Sequence, residues 1–121
     1  MAAKKQRERE DRIRNEIIAD AHDSEELAMG WYCYLEERIS PFTAICTGER
    51  EISPLQKGDH AEVTGISSEN ECGHEMFVKI RWEKRGLAVP LSQLKPRSDA
   101  DEVARQAVED WLYWVKRGYE F

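Results

Sequence analysis

The apolar residues of this chain recur at helical spacing in three stretches, which flank a series of shorter apolar runs. Apolar residues three and four positions apart lie on one side of a helix, so the pattern predicts helices from about residue 12, over residues 24–38 and from about residue 98. The apolar stripes comprise Ile13, Ile17, Ile18 and Ala21 in the first helix, Leu27, Trp31, Tyr34 and Leu35 in the second, and Val103, Ala107, Val108, Trp111, Leu112 and Val115 in the third.

Capping residues mark the ends of the second and third helices. Asp23 is the predicted N-cap of the second helix, because Glu26 three residues later completes a capping box. Gly30 lowers the helix propensity of the same segment, which indicates close packing against a neighbour. We expect Ser98 to cap the third helix and Gly118 to follow its last turn.

Short β-rich runs bounded by turn residues occupy the middle of the chain. They predict strands at residues 42–47, 60–66, 76–82 and 87–90, followed by a single 3₁₀ turn at 91–94. Short antiparallel strands with a 3₁₀ turn before the last helix favour an α+β fold. Its predicted architecture is a small SH3-like antiparallel β-barrel flanked by N-terminal helices and a C-terminal helix.

The first 12 residues are charged and polar and carry no apolar stripe. We therefore expect residues 1–12 to be a disordered lead-in and residues 13–121 to form a single domain. The chain has 121 residues, 40% of them hydrophobic and 35% charged, which is enough to bury one core beneath a highly charged surface.

The net charge of −6 bears on the class of partner. Nucleic acid and anionic membranes bind clustered lysine and arginine, so neither is an expected partner of an acidic protein. A cation or a basic protein is the kind of partner that this charge favours.

No feature of the sequence indicates export or membrane insertion. It contains no apolar run of roughly 20 residues and no apolar segment typical of a signal peptide near its start. Cys33, Cys46 and Cys72 are an odd number of widely spaced cysteines, typical of reduced thiols. We therefore expect a cytoplasmic protein.

Glu36 and Glu37 are misplaced for an isolated helix. They fall at the predicted C-terminal end of the second helix, where the helix dipole favours positive charge. Either a basic side chain, such as Arg38, or a bound metal ion would relieve this site. Ca²⁺ takes six to eight oxygen ligands, including carboxylates and free backbone carbonyls. From the residues alone, a solvated helix end remains the simpler interpretation.

Other chemistries find less support. An EF-hand loop beginning at Asp99 would place Val103 and Ala104 where the template requires an oxygen ligand and glycine. The segment Cys72-Gly73-His74 is a single ligand pair, whereas structural zinc sites use two. We find no activated nucleophile or matched acid–base pair, so we do not expect an enzyme.

Three aromatic residues fall outside the apolar stripes. Tyr32, Tyr113 and Trp114 could form an exposed patch beside acidic residues. The alternative function is therefore a small protein-interaction module without a working metal site.

A further set of segments resembles the bacterial calcium-binding proteins typified by cyanobacterial CcbP, in the same order along most of the chain. The segments are residues 15–21, 29–37, 41–44, 77–82, 87–91 and 110–119. The resemblance implies a helix-flanked β-barrel that binds Ca²⁺ through surface carboxylates without EF-hands. It places the family's acidic pair at Glu36 and Glu37, with Glu37 where an aspartate is common and with a shortened connection at residues 40–42.

The combined prediction is a cytosolic, non-EF-hand calcium-binding protein that acts as a buffer or sensor. Glu37 would be the main ligand, Glu36 a supporting one, and carbonyls near Ile39 would complete the shell. A second, weaker site would use Glu69, Glu71 or Asp101.

Overall fold

The computed structural model of the protein describes residues 2–82 and 84–118. Its helices are α1 (Ala2–Arg12), α2 (Ser24–Arg38) and α3 (Glu102–Lys116), and its strands are β1 (Phe42–Cys46), β2 (His60–Ile66), β3 (Phe77–Trp82), β4 (Arg85–Pro90) and β5 (Leu94–Pro96). Within the described residues, no helix is long and apolar enough to cross a membrane.

The strands form one antiparallel sheet with the order β4-β3-β2-β1-β5. This confirms the predicted α+β class. In the described part of the chain β4 and β5 lie at opposite edges, so the sheet is open and the predicted barrel closure is not found. The 3₁₀ turn at Leu91–Gln93 is confirmed, whereas the sequence does not predict β5 directly after it.

The N-terminal segment differs from the predicted disordered lead-in. Residues 2–12 form α1, which continues through a π-helical turn at Ile13–Ile17. Polar contacts hold this helix where an apolar stripe is lacking: Arg9 Nε lies 2.8 Å from Asp110 Oδ1, and Arg12 Nη2 forms an ion pair of 2.6 Å with the same oxygen. These contacts span about a hundred residues, so local composition gives no sign of them.

The start of α2 confirms the predicted cap. Asp23 Oδ1 accepts a hydrogen bond of 2.8 Å from the Glu26 amide, while Glu26 Oε2 accepts one of 2.9 Å from the His22 amide. Gly30 lies where a Cβ atom would come within 2.4 Å of the Ile17 carbonyl oxygen. This contact explains the glycine, because a side chain would collide with backbone.

The start of α3 corrects the prediction that Ser98 is its cap. Asp101 is the N-cap, and its Oδ2 accepts from the amides of Val103 at 3.1 Å and Ala104 at 3.2 Å. The end of the helix agrees with the sequence, since Gly118 follows the C-cap with a φ of 84°.

One hydrophobic core joins α2 and α3 to the sheet. Trp31 lies at its centre, with ring centroids 5.2 Å from Trp111 and 5.5 Å from Trp114. Trp114 is therefore buried, and the predicted exposed patch is wrong at this residue. Tyr113 and Tyr32 are half-buried, and their hydroxyls donate to Glu10 Oε1 at 2.6 Å and to the Ser67 carbonyl at 3.0 Å.

Candidate metal centre

The candidate site lies at the C-terminal end of α2. Ile39 leaves the helix with an extended backbone, and its amide donates to the Leu35 carbonyl at 2.8 Å, which closes the last turn. The last carbonyls of a helix have no intrahelical donor, so those of the residues after Leu35 are open to other partners. Glu36 and Glu37 are exposed beside them. Carboxylate and carbonyl oxygens are thus close together along the chain at a negative helix terminus.

Glu37 has a cationic neighbour. Its Oε2 lies 3.3 Å from Arg38 Nη1. The Glu37 side chain is 73% exposed and that of Arg38 is 36% exposed. The same Nη1 is 3.3 Å from the Tyr34 carbonyl, and the guanidinium lies 4.1 Å above the centre of the Tyr34 ring. A basic side chain therefore occupies the position where the sequence required positive charge.

Glu36 lies near a different set of groups. Burial raises the pKa of Tyr32 above its usual value, and the nearby Glu36 carboxylate raises it further. The Tyr32 hydroxyl donates to the Ser67 carbonyl, so this tyrosine connects α2 to the loop that follows β2. Glu69 also raises the pKa of Tyr32, and the two residues line the same cleft.

The loop opposite α2 holds Glu71 in place. Glu71 Oε1 accepts hydrogen bonds from Ser67 Oγ at 2.7 Å and Ser68 Oγ at 3.0 Å. These hydroxyl donors lower the pKa of Glu71, because they stabilise its ionised form. A cleft of about 460 Å³ separates α2 from this loop, and Tyr32 and Glu69 are among its lining residues.

Asp101 has a different role from the other predicted ligands. It caps α3, where its carboxylate accepts hydrogen bonds from two backbone amides. Within the described residues, no three His, Cys, Asp or Glu side chains are grouped closely enough to hold a metal ion. A cation here would therefore need backbone carbonyls and water in its shell, which is ordinary for Ca²⁺.

The cysteines have structural surroundings. Cys33, Cys46 and Cys72 are free thiols, and the last two are buried. Cys72 Sγ accepts from the Phe77 amide at 3.3 Å, and burial raises the pKa of its thiol. A neutral, hydrogen-bonded thiol of this kind packs like a small apolar side chain.

The sequence identifies the acidic pair but not the residues that surround it. Tyr32 is predicted only as part of an exposed aromatic patch, and Ser67 and Ser68 are not predicted as site residues. The spacing of Tyr32 and Glu36 by four positions indicates contact on a helix surface and could have identified the first of them. The two serines belong to a loop whose place opposite α2 depends on the tertiary fold.

Comparison with known proteins agrees with this architecture. The chain belongs to the CcbP family, described as calcium binding, which it matches over residues 11–115. It is similar to the crystal structure of Anabaena CcbP, with 36% identity and a TM-score of 0.82, over 95% of this chain and 94% of that one. It is also similar to a calcium-binding protein in the calcium-binding form, with 33% identity and a TM-score of 0.83, over 100% and 99% of the two chains. No curated protein sequence matches the chain.

Proposed function

We propose that this protein binds Ca²⁺ through the surface carboxylates at the end of α2 and in the facing loop. The observation that carries the proposal is the juxtaposition of Glu36 and Glu37 with a helix terminus whose last carbonyls lack helical donors. Membership of a calcium-binding family supports the identity of the ion. The EF-hand spacing is not met in the sequence, so the proposed site is of another kind.

The carboxylates divide into two groups by their surroundings. Glu37, with carbonyls near Ile39, forms the first group; Glu36 is adjacent to it in sequence, and its carboxylate lies near Tyr32. Glu69 and Glu71 form the second group in the loop after β2, where two hydroxyls hold the Glu71 carboxylate in place. A surface Ca²⁺ at either group would complete its shell with water.

Asp101 is set apart from the proposed ligands. Its carboxylate satisfies two amides of the first turn of α3, and cation binding would compete with this capping role. We therefore assign Asp101 to helix stability and not to the second site.

We further propose that the protein is a cytoplasmic, non-catalytic buffer or sensor. Exposed ligands and a net charge of −6 suit a rapidly exchanging ion of low to moderate affinity. If the protein is a sensor, Ca²⁺ should change the amide hydrogen exchange around the cleft. A sensor should also bind a basic protein partner only when Ca²⁺ is present. A buffer would show neither change.

Calorimetric titration with Ca²⁺ tests the assignment of ligands. We expect Glu36→Gln and Glu37→Gln each to weaken binding by about tenfold, because each removes one anionic oxygen ligand. Glu62→Gln is the matched control, since Glu62 is an exposed glutamate on β2, 3.6 Å from Arg81. Asp101→Asn should also bind as the wild type does, because asparagine retains the cap.

The same titration can contradict the proposal in two ways. Absence of binding by the wild type at millimolar Ca²⁺ would remove the proposed function. If a variant with both Glu36 and Glu37 replaced by glutamine binds Ca²⁺ as the wild type does, the ion binds at another part of the surface.

A further inference from the structure

Arg38 is a cation in direct contact with Glu37, the carboxylate proposed as the main calcium ligand. Its Nη1 lies 3.3 Å from Glu37 Oε2 and 3.3 Å from the Tyr34 carbonyl oxygen. One nitrogen thus contacts a carboxylate and a main-chain carbonyl, which are two of the oxygen types that Ca²⁺ uses.

The position of Arg38 is held by more than the ion pair. Its guanidinium carbon lies 4.1 Å from the centre of the Tyr34 ring, a cation–π contact. Tyr34 is itself fixed, because its hydroxyl donates to the buried Asp110 at 2.7 Å. The arginine therefore packs against a side chain that is itself anchored in the core.

We propose that Arg38 is an internal competitor that sets the calcium affinity of the Glu37 group. This inference rests on the proposed calcium-binding function and names the residue that regulates it. Ca²⁺ binding at Glu37 must separate the Glu37–Arg38 pair, and the displaced guanidinium remains close enough to repel the ion. Both effects weaken binding and keep the affinity sensitive to ionic strength.

The experiment compares Ca²⁺ titrations of wild type, Arg38→Gln and Arg81→Gln by calorimetry at low and high salt. Arg81 is the matched control, because it is an exposed arginine 3.6 Å from Glu62 and its loss changes the net charge equally. We expect Arg38→Gln to bind Ca²⁺ about threefold to tenfold more tightly, the range given by loss of an exposed ion pair and of one nearby repulsion. Arg81→Gln should change affinity by less than about twofold.

Three results separate the possible failures. If the wild type and both variants fail to bind Ca²⁺, the proposed function and the competitor role are both wrong. If the wild type binds but Arg38→Gln and Arg81→Gln bind equally tightly, the function stands and the competitor role is wrong. A weaker affinity in Arg38→Gln would mean that the arginine supports the site, which also overturns the competitor role.

A second variant separates charge from geometry. Arg38→Lys keeps the positive charge but lacks the planar fork that contacts Glu37, the carbonyl and the ring together. We expect its affinity to fall between those of the wild type and Arg38→Gln. An affinity above that of Arg38→Gln would contradict competition by charge. Circular dichroism melting of each variant checks that α2 remains folded.

Discussion

Asp110 joins the three helices although its side chain is completely buried. Its carboxylate accepts from Arg9 at 2.8 Å, from Arg12 at 2.6 and 2.9 Å, and from Tyr34 at 2.7 Å. The contact with Asp110 also raises the pKa of the Arg12 guanidinium above its ordinary value. A buried carboxylate is costly unless it is fully paired, and here each oxygen has at least two donors.

We expect Asp110→Asn to destabilise the protein by about 2–4 kcal/mol. The substitution keeps the shape of the side chain but leaves Arg12 without the counter-charge of Asp110, and leaves Arg9 with only its longer pair to Glu109 at 3.8 Å. Urea unfolding followed by circular dichroism measures the effect. Glu62→Gln, which breaks only the exposed pair with Arg81, should change stability by less than about 1 kcal/mol. Equal effects of the two substitutions would show that burial does not strengthen the Asp110 network.

Tyr34 gives the protein a dependence on alkaline pH. Burial, together with its hydrogen bond to Asp110, raises the pKa of Tyr34 from 10.0 to about 12. Below about pH 10 the hydroxyl is protonated in both states, and its contribution to stability is fully present. Between pH 10 and about 12 the unfolded state releases the proton first, so the free energy of unfolding falls as pH rises.

Tyr34→Phe isolates this contribution. Phenylalanine cannot titrate, so the stability difference between wild type and variant should shrink by up to about 2 kcal/mol as pH rises above 10. Urea midpoints measured at several pH values between 9 and about 11.5 provide the test, and the variant corrects for other groups that titrate in this range. A difference that stays constant with pH would contradict a raised Tyr34 pKa.

Gly30 determines how closely α2 approaches the N-terminal helical segment. In an open helix, alanine in place of glycine would add about 1 kcal/mol of stability. Here the added Cβ would lie 2.4 Å from the Ile17 carbonyl oxygen, and that neighbour is backbone, which cannot rotate away. We expect Gly30→Ala to destabilise the protein by about 1–3 kcal/mol, as in other overpacked sites.

A glycine in open space is the control for this prediction. At Gly86 in β4 an added Cβ would have no neighbouring atom within 4 Å, and the backbone there does not require a positive φ. Gly86→Ala should therefore leave the thermal midpoint near that of the wild type or raise it slightly. If both alanine variants melt at the same temperature, the close approach of α2 to Ile17 would not be a constraint on the fold.

The bounds of the helices and strands could be predicted where residues close in sequence determine them. They could not be predicted where contacts between distant residues determine them. Asp23, a capping residue with Glu26 three positions later, marks the start of α2 correctly. Residue type and the acids that follow favour Ser98 as the cap of α3, but Asp101 lies closer to the apolar stripe and takes the role. The strand β5 has only three residues and ends in Pro96, so no periodicity marks it; its pairing with β1 creates it.

The candidate site could be predicted in part at the scale of the whole molecule. Glu36 and Glu37 are adjacent in sequence, and their conflict with the helix dipole is visible without a structure. The surroundings of Glu36 depend on the fold, which brings the loop with Ser67 and Ser68 to Tyr32. Arg38 contacts Tyr34 four positions earlier on the same helix and Glu37 directly before it, so its role as a partner of Glu37 could be predicted from the sequence.

Calcium should stabilise the whole molecule, since an ion that binds the folded state alone shifts the unfolding equilibrium. At a Ca²⁺ concentration ten times the dissociation constant the gain is about 1.4 kcal/mol, which a thermal melt detects. The net charge of −6 means that any salt also stabilises the fold by screening repulsion, so ionic strength must be held constant with NaCl. Mg²⁺ at the same concentration should raise the melting temperature less, because it requires strict octahedral geometry and gives up water reluctantly. Equal shifts with both ions would mean that they act on the charge of the surface, whereas a larger shift with Ca²⁺ that Glu37→Gln reduces would identify a site.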